Sequence, residues 1–65
     1  MIKNKMISVQ SDGNGLIDLP ELFVSGSVTI KGFIVTELAG TYTVLIDPSP
    51  EKGQQLNIVY QVEER

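Results

Sequence analysis

The stretch from Phe23 to Asp47, FVSGSVTIKGFIVTELAGTYTVLID, constrains the fold more than any other, because it reads as successive strands parted by glycine-bearing turns. Val28 and Ile30 alternate with Thr29 and Lys31, and Tyr42, Val44 and Ile46 alternate with Thr41, Thr43 and Asp47. That is the two-residue period of a strand with one buried face. A helix here would lose side-chain freedom at each β-branched position and stability at Gly26, Gly32 and Gly40.

The rest of the chain extends the pattern. Met1 to Lys5 is polar and predicts a loose N-terminal arm, since chain ends stay loose unless paired into a sheet. Met6 to Gln10 predicts a first strand, with Ile7 and Val9 on one face. Ser11 to Gly15 predicts a hairpin turn, as its Gly and Asx residues favour a tight reversal. Leu16 to Leu19 is a short second strand stopped by Pro20, which cannot donate to a central ladder. A third strand spans Ser27 to Lys31. Apolar parity changes across Gly32, from Val28 and Ile30 to Phe33 and Val35, so Lys31-Gly32 is either a reversal, the preferred reading, or a bulge in one long strand. Glu37 to Gly40 connects to the strand Thr41 to Asp47. Pro48 to Gly53 is a loop. Leu56 to Glu63 closes the fold, and Glu63-Glu64-Arg65 reads as a solvated end. Five to seven short strands with turn signals between them predict an all-β fold, a small antiparallel β-sandwich or open barrel, with no helix longer than a turn or two.

At 65 residues the chain predicts one domain, and a domain this small buries only about 60% of the surface its unfolded chain exposes. With no Cys and no His, neither a disulfide framework nor a zinc site of the usual ligands is available to staple it, which leaves self-association as the common remedy. The start lacks an apolar run long enough for a signal peptide, and no segment reaches the roughly 20 apolar residues of a membrane span. The net charge is −3, with Lys3, Lys5, Lys31, Lys52 and Arg65 scattered along the chain. Binding to nucleic acid needs a basic face to displace counterions from phosphates, so neither nucleic acid nor membrane is an expected partner.

The stretch Asp12 to Glu21 matches the later positions of an EF-hand calcium loop. With Gly15 at the obligatory glycine, Asp12 falls at the third position, Asn14 at the fifth, Asp18 at the ninth and Glu21 at the twelfth. Gln10 then takes the first position, where a neutral amide replaces a carboxylate. The flanking segments carry glycine and β-branched residues in place of helix formers, so a turn rich in Gly and Asx is the preferred reading and no metal ligand is assigned. Phe23, Phe33, Tyr42 and Tyr60 sit in or beside strand patterns, which favours packing over a sugar-stacking platform. Catalysis has no His or Cys to draw on, and carboxylate pairs would have to come from loop residues: Asp12, Asp18 and Glu21, or Asp47 and Glu51. The expectation is a non-enzyme without cofactor or small-molecule substrate.

From Ile17 to Glu63 the order of signals resembles short β modules of tailed-bacteriophage virion proteins, found in head-decoration, head-fibre, neck and tail-fibre components. The residues that carry it are Phe23 leading to Gly26-Ser27-Val28, the Lys31-Gly32 turn, Tyr42-Thr43-Val44, and Gly53 ahead of Ile58-Val59-Tyr60-Gln61-Val62. The resemblance implies a structural part, made in the host cytoplasm and assembled into the virion through contacts with other virion proteins. The alternative is a small regulatory or ligand-binding β domain, using the Asp12 to Glu21 loop or the aromatics. The residues themselves point to homo-oligomer or partner contacts. Leu45 and Val59 are apolar opposite apolar neighbours, and Phe33, Ile34 and Val35 are apolar without interruption. Either a two-sheet sandwich buries both faces, or Phe33, Val35, Leu45 and Val59 lie at an interface.

Overall fold

A computed structural model describes residues 1–64, and among them every regular element is a strand. The six strands are β1 (Ile2–Gln10), β2 (Leu16–Asp18), β3 (Thr29–Ile30), β4 (Ile34–Glu37), β5 (Thr43–Asp47) and β6 (Gln55–Glu63). They form two antiparallel three-stranded sheets, the first in the order β1-β6-β3 and the second in the order β2-β5-β4. Of the two forms that the alternation predicts, sandwich or open barrel, this is the small β-sandwich.

One core lies between the sheets. Val44 and Ile46 of β5 meet Leu56, Ile58, Tyr60 and Val62 of β6, with Ile17, Leu19, Val28 and Ile30 filling in around them. Along β5 and β6 the buried residues fall at every second position, and Ile7 and Val9 of β1 and Val35 of β4 are partly buried against the same core. Burying a side chain of this size contributes about 1.5–3 kcal/mol, and Val44 and Ile58 are 0% exposed.

The N-terminal segment corrects the expectation of a loose arm. Ile2 to Lys5 pair in register with Glu63 to Tyr60, and the Met1 ammonium donates to the Glu64 carbonyl at 2.9 Å. The cause is the length of β6: nine residues, with Leu56, Ile58, Tyr60 and Val62 buried at every second position, offer a partner all the way to Ile2. Glu63 and Glu64 are exposed, as expected of a solvated end, and Arg65 lies outside the described residues.

Two turns act differently from the hairpin reading. Residues 11–15 carry the chain from β1 in the first sheet to β2 in the second. Gly15 allows close approach there: its carbonyl accepts from the Ile46 amide at 2.8 Å, and a Cβ on it would stand a tight 3.1 Å from the Ile46 carbonyl oxygen. At Lys31-Gly32 the chain turns through an Ile30 carbonyl to Phe33 amide bond of 3.1 Å, with Gly32 at φ +88°. A turn of this form requires a positive φ at its third residue, which glycine adopts without steric cost. It is neither a hairpin nor a bulge, because β3 and β4 belong to different sheets. The parity change across Gly32 follows: a chain that crosses to the facing sheet must reverse the side it presents inward. Among the described residues the one hairpin joining consecutive strands within a sheet is β4–β5, closed by Leu38 to Thr41.

Tyr42 departs from its expected place. It precedes β5 and is half exposed, because the Thr41 hydroxyl donates to the Leu38 carbonyl at 2.8 Å and accepts from the Thr43 amide at 3.1 Å, which holds Tyr42 in the turn. Four aromatics therefore serve different ends: Tyr60 is core, Phe23 and Phe33 pack at its margin, and Tyr42 faces water.

Candidate interaction surfaces

Strand register assigns the outward residues. On the second sheet Leu16 lies opposite Leu45, which lies opposite Thr36, and Ile34 occupies the next row beside Asp47. Leu16, Leu45 and Ile34 are all exposed, Ile34 at 70%. On the first sheet Met6 lies opposite Val59, which lies opposite Thr29, and Met6 is 71% exposed. Polar rows flank that pair. The Ser8 hydroxyl donates to the Asn57 side-chain oxygen at 2.8 Å, and the Gln61 amide donates to the Asn4 side-chain oxygen at 2.9 Å.

The four residues singled out from the sequence are thus divided. Leu45 and Val59 face water at 43% and 44% exposure, but on the outer faces of opposite sheets. Phe33 and Val35 are half-buried and pack against the core, Val35 as the inward partner of Ile46. Sequence reasoning missed Ile34, Leu16 and Met6. For Ile34 the direction follows from the pairing with β5: Val35 points inward with Ile46, so its neighbour must point out. A third apolar surface lies at one end of the sandwich, where Leu22, Leu38 and Tyr42 are exposed around shallow hollows open to solvent.

The oxygens of the Asp12 to Glu21 stretch are separated by the fold. Asp12 accepts from the Asn14 amide at 3.0 Å and Asn14 from the Leu16 amide at 3.1 Å, which are self-contained Asx turns. Asp18 sits on the outer face of the second sheet and accepts from the Thr43 hydroxyl at 2.7 Å. Glu21 reaches across to the first sheet, where it accepts from the Tyr60 hydroxyl at 3.0 Å and pairs with the Lys5 ammonium at 3.1 Å. Among the described residues no group of three or more His, Cys, Asp or Glu stands close enough to hold a metal ion.

The Lys5–Glu21–Tyr60 cluster fastens the irregular segment between β2 and β3 to the first sheet. Hydrogen bonds from Lys5 and Tyr60 hold the Glu21 carboxyl below its usual range, and the same carboxylate raises Lys5. Burial, then the neighbouring carboxylate, pushes the Tyr60 hydroxyl up. A second anchor for that segment comes from Glu37, whose carboxylate accepts from the Gly26 amide at 2.8 and 2.9 Å and from the Val28 amide at 3.4 Å. Both clusters hold the irregular segment to the fold.

No family model matches the chain, and no curated protein or solved structure does either.

Proposed function

We propose that this domain is a non-enzymatic structural protein that acts through protein–protein contacts, and that it is a component of a bacteriophage virion. The second half of the reading rests on the resemblance of Ile17 to Glu63 to phage β modules. The observation that carries the first half is the pair of exposed apolar clusters, Leu16, Leu45 and Ile34 on one outer face and Met6 and Val59 on the other. Contiguous apolar groups left in water on a sheet face mark an interaction surface, and two such faces suit a part that has neighbours on both sides.

Leu45→Glu and Val59→Glu test it. Both positions face solvent in the monomer, so each variant should fold. Each should lose at least about 2 kcal/mol of association where its face is covered, since a carboxylate there is desolvated without a partner. The wild type should be found in purified phage particles at fixed copy number by mass spectrometry. Its absence from particles, or undiminished association of both variants, would defeat the reading.

A further inference from the structure

Each sheet has two edges, and they are unequal. β2, β3 and β4 are three, two and four residues long, too short to template a partner strand, and β2 is followed at once by Pro20 after Leu19. β1 is nine residues long, continuous in register with β6, and free of proline and bulges. Its other side is open. Because Met1 and Glu64 exchange backbone bonds, the odd-numbered residues of β1 direct their amides and carbonyls to β6. Ile2, Asn4, Met6, Ser8 and Gln10 direct theirs outward, where they have no backbone partner among the described residues. Natural sheets blunt such edges, commonly with lysine. Here Lys3 and Lys5 each hold a carboxylate of their own chain, Glu64 at 3.5 Å and Glu21 at 3.1 Å, so their charge is turned away from the edge.

We propose that the open edge of β1 pairs antiparallel with β1 of a second copy about a two-fold axis at Met6, joining two first sheets into one continuous six-stranded sheet. This builds on the reading of the domain as an assembly protein and names one partner. The self-complementarity of the edge argues for that occupant. With Met6 opposite Met6 of the second copy, Asn4 meets Ser8 and Ile2 meets Gln10. Facing inward, Lys5 meets Ile7 and Lys3 meets Val9. No like charges oppose one another, all five outward residues find partners, and about ten backbone hydrogen bonds form. On the outer face the polar rows Ser8–Asn57 and Asn4–Gln61 continue into each other across the axis. The Met6–Val59 pair becomes one apolar stripe running through both copies.

Charge exchange at the axis tests the pairing. Wild type should sediment as a concentration-dependent dimer at up to about 1 mM. Met6→Lys and Met6→Glu each place like charges directly opposite and should weaken the dimer by about tenfold or more, whereas an equimolar mixture of the two should restore it. Met6 is 71% exposed, so both variants should stay folded. Amide exchange is the second readout: Asn4, Met6 and Ser8 should be protected in the wild type and open in Met6→Lys, with Lys5 and Ile7 protected in both. A monomeric wild type, single variants that dimerise undiminished, or a mixture that stays monomeric would each overturn the proposal. A monomer whose particle binding is abolished by Met6→Lys would assign the edge to a different protein, which overturns self-pairing and leaves the assembly reading standing.

Discussion

In the first sheet β1 and β6 lie side by side for nine residues, and the backbone ladder itself holds them. In the second sheet β2 and β4 pair with β5 over three and four residues. There the strand ends depend on side chains: Asn14 on the Leu16 amide, Thr41 on the Thr43 amide, Asp18 on the Thr43 hydroxyl. The outer faces differ in the same sense, one mostly polar rows around a single apolar pair, the other carrying Leu16, Leu45 and Ile34. A short strand has few ladder bonds to lose, so its placement is set by core contacts and turn chemistry. A long one is set by its ladder and can tolerate a plainer surface.

The sharpest way to break this contrast is to remove core volume from each sheet. Ile58→Ala in β6 and Ile46→Ala in β5 should each cost about 2–5 kcal/mol in urea unfolding, with a single transition for both, because the two side chains belong to one core. A biphasic curve for Ile46→Ala alone would mean that the second sheet has separate stability. Next in size is Glu37→Ala, which removes the carboxylate from the Gly26 and Val28 amides. It should cost about 1–2 kcal/mol and expose both amides to exchange, whereas Gln61→Ala, which trims a polar row of the first sheet, should stay within about 0.5 kcal/mol.

Tyr60→Phe should cost about 1 kcal/mol for the hydrogen bond to Glu21, and it opens the pH behaviour of the cluster. Glu21 has its carboxyl lowered from 4.5, so its contribution is complete above that value and is lost as pH falls through the lowered one. Lys5 and Tyr60 are raised from 10.5 and 10.0, so theirs are complete below pH 10.0 and lost as pH rises through the raised values. Melting temperature against pH should therefore fall at both ends. Glu21→Gln should flatten the acid limb, and an unchanged acid limb in that variant would detach the cluster from stability. The smallest expected effect is that of calcium: melting curves with calcium and with chelator should overlay, and a shift that vanished in Glu21→Ala would show that the Asp12 to Glu21 stretch rearranges around an ion.

Much of the strand content was legible because alternation is a local property: β5 and β6 were readable to within two residues from Val44, Ile46, Ile58 and Tyr60. What was not legible is whatever depends on distant partners. Ile2 to Lys5 looks like a loose end until β6 is known to be long enough to pair with it. Lys31-Gly32 has the residues of a reversal, and only the facing sheet makes it a crossing. Among the interface candidates Leu45 and Val59 were distinguished as outward by the same alternation that buries their neighbours. Phe33 and Val35 were not, because in a run of three apolar residues the inward parity is set by pairing with β5.

The first and last segments of the described chain share the longest ladder, with Met1 bonded to Glu64, and this orders events in time. The first sheet's β1 has no partner until the chain reaches β6, and even their nearest pair, Gln10 with Gln55, joins residues far apart in sequence, which is the slow kind of contact to make. The β4–β5 hairpin and the β2–β5 pairing need nothing beyond Asp47. The second sheet, the less regular of the two, is then the one that can gather first on a growing or refolding chain. Pulse-labelled exchange should find its amides protected ahead of those of β1, and the reverse order would refute the sequence of events. Until that late closure, the nine residues of β1 have neither edge paired.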